Sequence, residues 1–571
     1  MAPMRAVWIV ALFAMTTPLQ NAIAQDRTQA RSMVITKRGI AATSQTLASQ
    51  AGAMILSRGG SAVDAAIAAN AVLGVVEPMM NGIGGDLFAI VREPGGKLAG
   101  LNASGYAPRA LTPGAVRAKG HTSMPEEGII GVTVPGCVDG WARLHRKYGK
   151  LPWAELFVPA IYYAREGFPV TEWIAGAWQG GRAKLLADDN ARRVYTRDGI
   201  VPKVGELFRN PELARALELI ATQGPSAFYK GDIATAILKT SRRHNGYLDA
   251  ADLADFQSEW VDTISTDYRG WRVHELPPNS QGLAALSMLN IMERFPLGSH
   301  DANSADALHL KIEAQKLAYA DLNRYVGDPR SSKIPTAQLI AKPYAAERAR
   351  LIDAAKASCA VDPGKPALPS AGDTIYVSTA DSDGMVVSLI QSIYLSFGSG
   401  VVTDDYGFHL HNRGALFTLE KGHPNELAPR KRPFHTIIPA YMEKGTQHVG
   451  FGIMGGLNQA QAHAQFVSNM VDHGMNIQAA LEAPRFTKLN FTGCDVKIER
   501  RVPSATIDQL RERGHYVQLE PSFSSTMGGG QAVMHDSAAK VNYGASSPRK
   551  DGAAVPEPDP YFKQDKISER R

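Results

Sequence analysis

Thr374 is the residue in this chain best placed for covalent chemistry. It follows residues 362–373, DPGKPALPSAGD, a segment rich in Pro, Gly and Ala of the kind where chain cleavage concentrates. If the chain opens ahead of Thr374, that residue owns both a hydroxyl and a free α-amine. An α-amine titrates at about 7.7–8.0, against about 10.4 for lysine, so near neutral pH it can take the proton of its own side chain. One residue would then be nucleophile and base. The plainer alternative is a threonine that opens an ordinary hairpin after a loop.

The hairpin itself is legible. Residues 375–380 alternate in strand fashion, 381–384 (DSDG) have turn chemistry, and 385–394 are again apolar and β-branched. With 382–384 as the loop and Gly384 left-handed, Asp381 pairs with Met385 and Thr374 falls opposite Ser392. A two-residue loop would move that register by one. Further on, a strand at 449–453 runs into Met454-Gly455-Gly456 before a helix at 459–474. Backbone N–H groups at such a strand-to-helix turn suit an oxyanion, although a plain turn has the same spelling. His409-Leu410-His411 puts two imidazoles on one strand face, which could begin a metal site, but no third ligand stands nearby and no metal is expected. The glycine-rich 81–86 stretch leads into a strand instead of following one, so it reads as a tight turn and no cofactor is expected. No Gly-x-Ser-x-Gly elbow occurs.

Several phrases, in order, resemble the γ-glutamyltransferase family of N-terminal-nucleophile hydrolases. They are GGSAVDAA at 59–66, PPNSQG at 277–282, GDP at 327–329, the Thr374 hairpin, and YGASSPRKDG at 543–552. The resemblance implies a four-layer αββα sandwich and a precursor that cuts itself at Asp373/Thr374. A large subunit, 25–373, with a linker at 354–373 before the cut, then stays associated with a small catalytic subunit, 374–571. It also implies that Thr374 is the nucleophile, Ser392 its orienting partner, and Gly455 and Gly456 the oxyanion donors. The expected activity is cleavage of γ-glutamyl-type amides.

The pocket that grips the glutamyl head group in that family is altered here. Ser104 stands for a carboxylate-binding arginine, Tyr394 for an asparagine, Arg413 for a glutamine, Leu416 for the aspartate that pairs with the α-ammonium, and His435-Thr436 for a Ser-Ser pair. An ammonium left against leucine would cost on the order of several kcal/mol. Arg413 could instead fork onto a carboxylate, with His435 and Tyr394 adding donors, or pair with a protein acid. The first alternative suits glutaryl- or oxalyl-type monoamides that lack the ammonium. A catalytically inactive binding protein on the same scaffold is the reading from another class, and it predicts one unprocessed band on a denaturing gel.

Residues 43–58 and 61–75 read as helices, the second opened by a Ser61-x-x-Asp64 capping box. Residues 283–294 and 309–325 read as further helices, and the 275–282 loop as scaffold. At 571 residues the chain can bury a large core, and a formal charge of +6 over that length is too dilute to argue for nucleic acid. Arg5, the apolar run 6–15 and Ala22-Ile23-Ala24 have the order of a secretory signal, 1–24, too short for a membrane span. An exported, periplasmic or secreted protein is expected, with a small-molecule amide as substrate. Cys137, Cys359 and Cys494 are odd in number, so two could pair, and the sequence offers no way to choose them.

Overall fold

The computed structural model describes residues 29–361, 373–490 and 493–561. The signal segment, most of the 354–373 linker and the end of the tail lie outside the described residues. Two seven-stranded sheets dominate. The first runs, in spatial order, Ala553–Pro556, Ile40–Thr43, Asp373–Ala380, Val386–Tyr394, Asp86–Arg92, Leu98–Ala103, Glu259–Val261. The second runs Val34–Thr36, Val541–Ser546, Gly530–Asp536, Gln447–Ile453, Ala440–Lys444, Trp271–Glu275, Ile264–Tyr268. All neighbours within both sheets are antiparallel.

Three apolar zones make four layers of these two sheets. Helices Thr46–Ser57 and Ala62–Val76 pack on the outer face of the first sheet. Helices Gly282–Met292, Ala305–Tyr325 and Asn458–Val471 pack on the outer face of the second. Between the sheets lie Phe88, Ile90, Tyr376 and Ile390 from one side, with Tyr441 and Met454 from the other. The arrangement is the expected αββα sandwich, each sheet burying both faces.

Local chemistry explains the parts that hold the hairpin. Ala62–Val76 is apolar all round and almost wholly buried, as a helix between another helix and a sheet must be. Its N-terminus is closed by the Ser61/Asp64 capping box. The helix predicted from residue 43 starts at Thr46, because Ile40–Thr43 is used as the strand beside Asp373–Ala380. Gly384 takes φ +87°, Asp381 N donates to Met385 O at 3.2 Å, and pairing runs as predicted from Ala380↔Val386 to Ile375↔Gln391. Register then slips: Asp373 pairs with Tyr394, so Thr374 sits at a β-bulge. Bulges re-aim a side chain at the end of a ladder.

Two readings need correction or completion. His409 and His411 do not share a strand face: among the described residues that stretch has only the isolated bridge Val402↔His409, followed by a 3₁₀ turn at Arg413–Leu416. Cys359 and Cys494 form a disulfide with Cα atoms 4.8 Å apart, and Cys137 is free and buried.

Candidate active site

Thr374 is 1% exposed and lies between two polar side chains. Its Oγ1 donates to Ser392 Oγ at 3.4 Å and accepts from Gln459 Nε2 at 3.5 Å. Such long contacts are usual before a substrate tightens a site. Ser392 Oγ also accepts from Tyr394 N at 2.8 Å and from Arg413 Nη2 at 2.9 Å. Two N–H groups therefore fix the oxygen that faces the threonine.

Arg413 is fully buried and spans the site. Its Nη1 donates to Thr436 Oγ1 at 2.7 Å, its Nη2 to Ser392, and its guanidinium lies 4.6 Å from the centroid of the Tyr394 ring. Burial lowers its pKa to about 10, against the pull of Asp86 and Tyr394. Both Nη groups thus already hold hydroxyls, neutral acceptors that a carboxylate would outcompete. Tyr394 holds φ +78°, a strained value for a residue with a side chain, at the foot of the Val386–Tyr394 strand.

Asp86, read from the sequence only as the end of a turn, is the charged partner of this cluster. It lies opposite Ser392 in the neighbouring strand. Its Oδ2 accepts from His435 Nε2 at 2.9 Å and lies 3.3 Å from His411 Nδ1 and 3.8 Å from Arg413 Nε, while Oδ1 accepts from Gly105 N at 3.0 Å. Burial alone would raise its pKa, but its interactions with His411 and His435, hydrogen bonds included, overrule it and hold the carboxyl well below the usual range. His435 is driven down to about 3 by burial and by the charge of Arg413, so it stays neutral and spends its donor on Asp86. Ser104 is one step out, donating to Asn102 Oδ1 at 2.7 Å and accepting from Asn279 Nδ2 at 3.2 Å. Leu416 is buried in the apolar zone outside the second sheet.

Gly455 has φ +121° and Gly456 φ +59°, backbone that favours glycine. Gln281 binds this turn to the arginine cluster, its Nε2 donating to Gly456 O at 2.8 Å and to the carbonyl of Thr436. Asn279, in the same loop, accepts from His435 N at 2.8 Å through its carbonyl. The 275–282 loop is therefore part of the site. No local spelling announces Gln281, Gln459 or Asp86, because each meets its partners on elements distant in sequence.

Among the described residues one trio, His309, Glu313 and His515, has metal-ligand spacing. Lys316 Nζ, 2.5 Å from Glu313 Oε1, already supplies a cation there.

The family model described as Gamma-glutamyltranspeptidase matches residues 48–557. The chain is 37% identical over 520 residues to the glutathione hydrolase-like YwrD proenzyme of Bacillus subtilis (strain 168), covering 89% of this chain and 96% of that one. It is 34% identical over 531 residues to the oxamate amidohydrolase proenzyme of Klebsiella pneumoniae subsp. pneumoniae, covering 91% and 99%. The crystal structure of a cephalosporin acylase from Bacillus halodurans superposes with a TM-score of 0.87 at 42% identity, covering 95% of this chain and all of the other.

Proposed function

The chain belongs to the gamma-glutamyltranspeptidase family, and from that premise we propose that Thr374 is the N-terminal nucleophile of a self-processing amidohydrolase that cleaves γ-glutamyl-type amides. The cut falls at Asp373/Thr374, giving subunits 25–373 and 374–571 that remain together. The observation that carries this reading is the meeting at Thr374 Oγ1 of an oriented acceptor, Ser392, and an amide donor, Gln459. In the continuous chain that hydroxyl is buried, and scission frees its amine.

Thr374 Oγ attacks the amide carbon while its own amine takes the hydroxyl proton. The N–H groups of Gly455 and Gly456 hold the oxyanion, and the amine returns the proton to the departing nitrogen. Water, or an acceptor amine, then releases the acyl group. The basic, apolar and Ala-x-Ala order of residues 5–24 supports export, and among the described residues no helix is long and apolar enough to cross a membrane.

One observation favours an acyl group without an α-ammonium, such as glutaryl or oxalyl. The carboxylate of this cluster, Asp86, is consumed by His435, His411 and Arg413, and the position of the family's aspartate is the buried Leu416. Steady-state comparison of glutaryl and γ-glutamyl anilides tests this, and a large γ-glutamyl preference would refute it. Thr374→Ala tests the nucleophile. It should give a single uncut band and lose about 10³-fold or more in turnover; two bands with normal turnover would refute the assignment.

A further inference from the structure

In the proposed cycle Thr374 Oγ1 enters as a hydroxyl, sits as an ester oxygen in the acyl-enzyme and leaves when the acyl group departs. In that last step water bonds to the acyl carbon and passes a proton to the Thr374 amine. The C–Oγ1 bond breaks with its electron pair left on Oγ1, and the ammonium returns the proton to that oxygen. The pair arrives ahead of the proton, so a donor already aimed at Oγ1 stabilises it without rearranging. Ser392 faces this oxygen as the acceptor of its hydrogen. Among the described residues the donor is Gln459, whose Nε2 lies 3.5 Å from Oγ1.

The Gln459 amide is held in one direction. Its side chain is fully buried on the first turn of the Asn458–Val471 helix, and its Oε1 accepts from Ile438 N at 3.0 Å. Turned the other way, the amide would set its NH₂ group against the Ile438 N–H, donor against donor. The backbone N–H on one side therefore forces the amide N–H toward the threonine on the other. The root of the side chain is held too, because Gln459 N donates to Gly456 O at 3.2 Å and ties the helix to the glycine turn. Among the described residues every hydrogen-bond partner of Thr374 Oγ1 and of the Gln459 side chain is uncharged. The donor at Oγ1 is thus an amide, which does not titrate in the range where the α-amine does.

We propose that Gln459 is a further catalytic residue of this site, donating to Thr374 Oγ1 as the acyl ester breaks. The inference rests on Thr374 as nucleophile. The same donor serves self-cleavage, in which Oγ1 takes the acyl group of Asp373 from nitrogen and then releases it to water. Gln459 neither gains nor loses a proton in either reaction, and Ile438 N–H only aims it.

Gln459→Glu separates donor from scaffold, since it keeps the side chain's length and an oxygen for the Ile438 N–H but turns a second oxygen toward Thr374. Gln459→Met removes the donor without adding charge. Both are assayed on the faster of the glutaryl and γ-glutamyl 4-nitroanilides, with turnover counted per cut chain. Each should lose about tenfold to a hundredfold in kcat, the worth of one hydrogen bond to a charged oxygen, with KM changed by no more than about twofold. As pH falls toward about 4, the ratio of Gln459→Glu to wild-type kcat should climb, because a protonated carboxyl donates where a carboxylate does not; the Gln459→Met ratio should stay flat. Wild-type kcat in both variants, a loss confined to KM, or a Gln459→Glu ratio that ignores pH overturns the proposal. Where melting curves show Gln459→Glu unfolded, the kcat of Gln459→Met decides. Thr374→Ala run alongside keeps the two assignments apart. Its normal turnover would overturn the nucleophile, whereas an inactive Thr374→Ala beside fully active Gln459 variants overturns Gln459 alone.

Discussion

Four partners converge on the Asp86 carboxylate, and through Arg413 it governs a hydroxyl it never touches. Replacing Asp86 with asparagine leaves the buried Arg413 guanidinium without its counter-charge and weakens the acceptor of His435, a loss of about 3–5 kcal/mol. The sign with pH follows from the depressed carboxyl pKa. Its contribution is complete above the ordinary carboxylate range near 4 and is lost as pH falls toward the lower folded value. Asp86→Asn should therefore melt well below wild type at pH 7, with the gap narrowing as pH drops below about 4. A gap that is constant with pH would mean the carboxylate is not the stabilising species. Turnover should fall as well, because Arg413 loses its anchor and Ser392 one of its two donors.

At the level of elements, the hairpin was the most legible part of the sequence. Turn residues at 381–384 and alternation on both arms set a register that the structure keeps from Ala380 back to Ile375. The bulge at Thr374 was not legible, since it depends on how Tyr394 turns away at the strand's foot and on no local signal. The helix 62–76 and the Gly455-Gly456 turn were visible in their capping and glycine patterns. The roles of Gln281 and Gln459 were not, because a glutamine on a loop or a buried helix looks the same whatever it binds. For Arg413 the sequence leaves open a substrate carboxylate or a protein acid, and its partners Asp86 and Ser392 come from strands far away in sequence. The contact between sheets brings a prediction of its own. Gly452, on the Gln447–Ile453 strand, faces Tyr376, two residues from Thr374, and a methyl there would overlap the Tyr376 ring. Gly452→Ala should cost about 1–3 kcal/mol and slow self-cleavage by shifting the nucleophile strand. Unchanged melting and unchanged processing would show that the two sheets can part freely.

Over the whole molecule the proposed cut lies between two cysteines that are bonded to each other. Cys359 falls in the segment 25–373 and Cys494 in 374–571, and the bridge spans 135 residues. The processed protein should run as one band on a denaturing gel without reductant and as two with it. Two bands without reductant would place the cut elsewhere or leave the thiols unpaired. The strand order adds a second restraint. In the first sheet Ile40–Thr43 lies on one side of the Thr374 hairpin and Asp86–Arg92 on the other, and the second sheet has strands from before the cut at both edges. Neither piece contains either of the two seven-stranded sheets complete. Assembly instructions are consequently written once, in the unbroken polypeptide, and the nick erases them. An unfolded finished enzyme would keep its halves joined through the Cys359–Cys494 bridge alone, and once that bridge is reduced each half carries only part of the two seven-stranded layers they shared.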